Sequence, residues 1–180
     1  RAKGSSDFPA RFILVGTANP CPCGYFGSSR TCECSPMQIN NYQRKLSGPV
    51  MDRIDIHVTV DEVKHSSLLG DNHTSETSKT IADRVQAART IQLQRFGDGY
   101  LNAGMDNRQI KQHAQLTTDA IVLLNRAATQ LDISARSYMR IIKVARTIAD
   151  LDNSTAIASQ HITEALQYRL KRAQFAMIVT

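Results

Sequence analysis

The chain lacks any long apolar run. Its most hydrophobic stretches, such as Phe12 to Val15 and Ile121 to Leu124, fall far short of the ~20 residues a membrane-spanning helix needs. It opens RAKGSSDFPA, without the apolar core of an export signal, and this start reads as a point inside a longer protein. No cysteine occurs outside residues 21–34. That clustering suits a local metal site better than a disulfide framework spread over the fold, and it points to a reducing cytoplasm. The histidines at 57, 65, 73, 113 and 161 are dispersed, so no catalytic metal cluster is legible, and no nucleophilic triad is either. Acidic residues are outnumbered, 16 against 22 basic, for a formal net charge of +6. A polyanion such as nucleic acid or nucleotide phosphate fits that balance without being named by it.

What is present is 180 residues, 42% of them hydrophobic, enough to bury a core in one domain or two small ones. The pattern changes near residue 61. Phe12 to Ala18 is an almost wholly apolar run, as expected of a strand buried on both faces. Ile54, Ile56, Val58 and Val60 alternate with polar residues, the period-two signature of a second strand. Between them lies a cysteine loop and then a helix opened by Ser35-Pro36 and running to about Leu46. Two strands do not make a stable sheet alone, so the rest of the sheet is expected upstream of Arg1.

Residues 62–74 are polar and read as a linker. Beyond them the periodicity is helical: Ile81, Val85, Ala88 and Ile91 in a first helix, a short helix over 107–115, and Ala120, Leu124, Ala127 and Leu131 in the next. Ser134 caps a helix with the stripe Tyr138, Ile141, Ala145 and Ile148, and Ser159 is read as the cap of a last helix through Ala165 and Leu170. The expected fold is an α/β remnant of two strands and a helix over 1–61, followed by an all-helical domain over 75–180, predominantly helical in sum.

Three polar residues stand out. Asn19 follows the first apolar run, where ligands of open α/β sheets bind, and its amide could hold a water or a phosphate oxygen. It could equally begin a turn before Pro20, and spacing favours the turn. Arg53 sits after a Gly-Pro turn and before the second strand, a place from which a guanidinium could meet a neighbour's γ-phosphate; a local ion pair with Asp52 or Asp55 is the alternative. Arg136 falls in the first turn after Ser134, where a cation opposes the helix dipole at a cost of about 0.3–1 kcal/mol. An anion nearby would explain it, although arginine is also an ordinary helix former. Arg140, Lys143 and Arg146 continue a basic stripe that reads as a solvated face.

Cys21-Pro-Cys23 and Cys32-Glu-Cys34 make a pair of C-x-C units on one loop. Four thiolates there can close tetrahedrally around Zn²⁺. The C-x-C spacing is tighter than usual, so structural zinc and four unliganded thiols both remain open.

Phe12-Ile-Leu-Val-Gly-Thr-Ala-Asn-Pro-Cys-Pro-Cys-Gly24, Leu46-Ser-Gly-Pro-Val-Met-Asp-Arg-Ile-Asp-Ile-His-Val58, the run Ser134 to Asp150 and His161 to Arg169 together resemble successive blocks of the ComM/YifB family of magnesium-chelatase-like AAA+ ATPases. The resemblance implies the C-terminal part of an AAA+ core followed by a helical lid, in a helix-2-insert module working as a homo-oligomeric ring, expected to be a hexamer. It implies that Asn19 is sensor 1, Arg53 the arginine finger acting on the adjacent subunit's ATP, and Arg136 the sensor 2 reaching the phosphates of its own subunit. It matches Cys21, Cys23, Cys32 and Cys34 to a family cysteine loop. It also implies DNA as partner, with branch migration in natural transformation as the task, and ATP with Mg²⁺ as cofactors of the whole protein.

One departure is decisive for activity. The sequence contains no G-x-x-x-x-G-K-[ST] loop and no wholly apolar strand ending in Asp-Glu, since the run before Asp61-Glu62 alternates apolar and polar residues; these are the elements that hold phosphates and Mg²⁺. These 180 residues alone are therefore expected not to hydrolyse ATP. Two alternatives stand beside the motor reading: a zinc-stabilised nucleic-acid-binding module, and a porphyrin magnesium-chelatase motor subunit, for which no porphyrin site is legible.

Overall fold

The computed structural model describes residues 5, 12–45, 48–60, 76–97 and 99–169. They belong to two compact units, residues 1–45 and residues 46–180. The linker expected at 62–74 and Leu170 lie outside the described residues.

In the first unit the ordered helix is α1, Pro36–Gln43. Ser35 caps it: its hydroxyl accepts from the Gln38 N–H at 3.3 Å, and Gln38 Oε1 accepts from the Ser35 N–H at 2.8 Å. That reciprocal box satisfies two otherwise orphaned donors, and Pro36 occupies the first turn, where its missing N–H costs nothing. Ile39 is the helix's buried residue. The Gln43 side chain donates to the Pro20 carbonyl at 3.0 Å and so ties α1 back to the cysteine loop.

Neither expected strand forms among the described residues. Phe12, Ile13, Leu14 and Val15 are exposed, as are Ile56, Val58 and Val60. The reason is that a strand is not self-sufficient: its N–H and C=O groups need a neighbouring ladder, and these runs have none here. The alternation at 54–60 is real in the sequence, but its backbone engages the helical unit instead, with the His57 N–H donating to the Tyr168 carbonyl at 2.8 Å. Residues 48–60, grouped by sequence with the α/β part, lie within the second unit.

The second unit contains α2 (Gly48–Met51), α3 (Ser78–Phe96), a 3₁₀ turn (Asn102–Gly104), α4 (Asn107–His113), α5 (Thr118–Gln130), α6 (Ala135–Leu151) and α7 (Ser159–Gln167). Local chemistry starts most of them. Thr77, Asp106, Thr117 and Ser134 each accept a backbone N–H three residues on, the usual N-cap bond. α7 differs from expectation: Ser159 is its first helical residue, and Ala158 is the cap, with its N–H held by His161 Nδ1 at 3.0 Å.

α6 is the axis of the core, packed against α7, α3, α4 and the 3₁₀ turn, while α5 packs on α7. Ala120, Leu124, Ile141, Ala145, Ala149, Ile157, Ile162 and Ala165 are almost completely buried together. Small residues at 145 and 149 let neighbouring helices approach closely, while leucine and isoleucine fill the remaining space. The connection before α5 is tied to the one before α7 by an isolated parallel bridge between Leu116 and Ile157. Only the C-terminal half of α3 meets this core. Ala88 and Gln92 are buried, but Ile81 and Val85 stay half exposed, so the apolar stripe read there is longer than the packed surface.

Candidate metal centre and candidate phosphate-binding residues

The cysteine loop is built by tight turns. Gly24 and Gly27 adopt φ of 84° and 78°, a region closed to most L-residues, and the Gly24 N–H donates to the Cys21 carbonyl at 3.0 Å. The turns fold the two C-x-C units onto each other. Cys21 Sγ lies 3.3 Å from Cys23 Sγ and 3.7 Å from Cys32 Sγ, and Cys23 Sγ lies 3.5 Å from Cys32 Sγ. All four sulfurs, Cys34 included, fall within 4.8 Å of one another, and none forms a disulfide. A tetrahedron of sulfurs at the Zn–S distance of about 2.3 Å has edges of roughly 3.8 Å. The donor set therefore fits a tetrahedral thiolate-loving ion in number, type and spacing.

The electrostatics are graded. The Tyr25 backbone N–H, aided by the Cys21 thiol and outweighing desolvation, lowers the Cys23 pKa to about 6. At Cys32 the Cys34 N–H pulls down, but desolvation and the crowding thiols Cys23 and Cys21 push the value up to about 12. Without metal the proton is thus held less tightly at Cys23 than at Cys32. A cation entering would displace the Cys32 proton, as metal binding by thiols does.

The remaining candidates are placed as follows. Asn19 is exposed, next to Gly24, where an added Cβ would lie 3.9 Å from the Asn19 amide. Arg53 is exposed on the turn that follows α2. Its N–H donates to the Val50 carbonyl at 2.9 Å, and its own carbonyl accepts from Arg140 Nη1. Of the two carboxylates beside it in sequence, Asp55 pairs with Arg140, and Asp52 lies 3.9 Å from Arg169. Arg136 is exposed in the first turn of α6. It lines a concavity of about 400 Å³ with Asn107, Ala135, Met139, Arg140 and Lys143.

The basic stripe on α6 is not a solvated face. Arg140 is bound as described, and Lys143 Nζ donates to the Ala103 carbonyl at 3.1 Å. Arg146 is sealed inside. Its guanidinium bonds Asp150 and the carbonyls of Ser154 and Thr155. Asp150 also receives both terminal nitrogens of Arg95 and the amide of Asn102. Sequence reasoning missed this network because its partners come from distant segments. The i, i+4 spacing of Arg146 and Asp150 was its one local sign.

Among the described residues no helix is long and apolar enough to cross a membrane. Known proteins resemble the chain in both halves. Residues 75–169 match the family described as magnesium chelatase, subunit ChlI C-terminal, and residues 1–68 match magnesium chelatase, subunit ChlI. Over 169 residues the chain is 38% identical to competence protein ComM of Haemophilus influenzae, 37% to the uncharacterized protein YifB of Escherichia coli and 34% to YifB of Salmonella typhimurium. Each alignment covers 94% of this chain and 33% of the relative, so the chain spans about a third of the length of the curated relatives it matches.

Proposed function

Because the chain belongs to the ComM/YifB family of magnesium-chelatase-like proteins, we propose that it supplies the second part of the AAA+ core and the helical lid of a cytoplasmic ring ATPase that moves DNA. In this reading Asn19 orients the attacking water or the γ-phosphate. Arg53 reaches the adjacent subunit's ATP, and Arg136 reaches the phosphates of its own subunit. ATP and Mg²⁺ are held by elements outside this sequence, which also supply the strands that the apolar runs at 12–18 and 54–60 pair with. The ring is a hexamer, and branch migration during natural transformation is its work, in keeping with the name of the Haemophilus relative.

The observation that supports the reading is that Arg53 and Arg136 belong to one compact unit. Both are exposed, and the turn of α6 after Arg136 bears the arginine that bonds the Arg53 carbonyl. A guanidinium presented on a backbone held in this way is suited to stabilising charge on a transferring phosphoryl group, an effect worth about 10³–10⁵ in rate. The test is subunit mixing in the full-length protein. Arg53→Ala subunits combined with subunits defective in phosphate binding should regain part of the ATP turnover, since the two defects fall on different faces. No recovery, with assembly intact, overturns the trans role of Arg53.

Zinc is the proposed occupant of the cysteine loop, a clip for a segment with little core of its own. Elemental analysis should find about one zinc per chain, and Cys21→Ser with Cys34→Ser should abolish it. The sulfur cluster also favours a second reading, a metal-stabilised nucleic-acid module without an ATPase role. Nucleic-acid binding that falls steeply with salt while Arg53→Ala leaves turnover unchanged would select it.

A further inference from the structure

Two arginines of the helical unit converge on the backbone at Arg53. Arg140 Nη1 donates to the Arg53 carbonyl and to the Asp55 carboxylate. Arg169 Nη1 donates to the next carbonyl, that of Ile54, at 3.2 Å, while its Nη2 donates to Ser137 Oγ at 2.6 Å. Ser137 is buried in the first turn of α6, beside Arg136, and its N–H is bonded to the cap hydroxyl of Ser134. On the other side the N–H groups of Arg53 and Ile54 are bonded to the carbonyls of Val50 and Met51 at 2.9 and 3.1 Å. The peptide planes before and after Cα of residue 53 are thus both tied. Since peptide planes are rigid, the direction in which its side chain leaves the backbone is set.

We infer that Arg140 and Arg169 are positioning residues for Arg53, fastening the turn that carries it to the helix that carries Arg136 so that the two exposed arginines move as one piece. The inference rests on the proposed roles of those two residues and adds a consequence. A shift of α6 when its own subunit's nucleotide changes is passed to the arginine offered to the neighbour. Surface ion pairs alone do not account for the arrangement. Each clamp addresses a main-chain carbonyl, and the guanidinium of Arg169 is largely buried, with 15% of its side chain exposed.

The experiment is steady-state ATP turnover by the full-length ring protein. Arg140→Gln and Arg169→Gln should each lower kcat by about 10- to 100-fold, the scale of a misplacement near 1 Å, with KM and ring assembly changed less than about twofold. Arg140→Lys should recover most of the loss, because one nitrogen of Arg140 serves both acceptors and a point donor can replace it. Adding Arg140→Gln to Arg53→Ala should slow turnover no further. An additive loss, or glutamine variants with full kcat while Arg53→Ala is inactive, overturns the clamp and leaves the proposed role of Arg53 standing. Wild-type turnover by Arg53→Ala overturns that role itself. Should a glutamine variant fail to assemble, the lysine variant decides: assembled rings with no recovered kcat refute the clamp.

Discussion

Asp150 shows how much a single side chain can hold. Its carboxylate is fully buried and faces Arg95, Arg146 and Asn102. Removing one partner of such a set leaves buried charge without compensation, which costs about 3–5 kcal/mol. Asp150→Ala should therefore lower the unfolding free energy by that amount in urea titrations. Glu76→Ala, which breaks a half-exposed pair with Arg84, should cost at most about 1 kcal/mol. His57 offers a pH test. Burial, followed by the nearby Arg169 charge, lowers its pKa below 6.5, so the fold prefers the neutral ring. The contribution is present in full above pH 6.5 and is lost as pH falls below it, because the unfolded chain takes up the proton first. Arg169→Gln should raise the His57 pKa in an NMR titration; an unchanged value would contradict the proximity of the two groups. Little of this was legible beforehand. Arg146 read as a solvated cation because a sequence window displays the i, i+4 neighbour but not the carbonyls of Ser154 and Thr155 that enclose it.

At the scale of elements, legibility followed locality. Caps depend on a few adjacent residues, and Ser35 and Ser134 act as their sequence context predicts. The helical stripes are buried at Ala120, Leu124 and Ala127 and at Ile141 and Ala145, as the 3.6-residue period requires, while Tyr138 and Ile148 are partly buried and Leu131, past the end of α5, stays exposed. The strands failed to appear because pairing depends on residues elsewhere, and α7 starts one residue earlier than read, with Ala158, which has no side-chain acceptor, at the cap and its N–H held by the His161 ring. Two substitutions probe this level. Ser134→Ala should cost α6 about 1 kcal/mol. Leu124→Ala, which empties a fully enclosed site on α5, should cost about 2–5 kcal/mol. Both are read from the midpoint of chemical denaturation with an unchanged m-value.

For the whole molecule, the division into units with separate cores has an observable outcome. With zinc in the cysteine loop as proposed, a strong chelator should open residues 21–34 to thiol alkylation and to proteolysis while the melting temperature of residues 46–180 stays within about 2 °C. A larger fall would show that the helical unit draws stability from the metal loop. The chain's formal charge of +6 also overstates what a polyanion can reach, since Arg146 is enclosed and Arg95 is turned onto Asp150. That knot of Arg95, Asn102, Arg146 and Asp150 joins α3, the 3₁₀ turn and α6, and it constrains inheritance as well as folding. Its members can be exchanged only as a set, so relatives should keep all four or replace them together with apolar groups. A chimera that borrows residues 78–96 from a relative lacking the arginine should lose about 3–5 kcal/mol of stability, and removing the recipient's Asp150 as well should not restore it, because Arg146 would then be buried without a counter-charge.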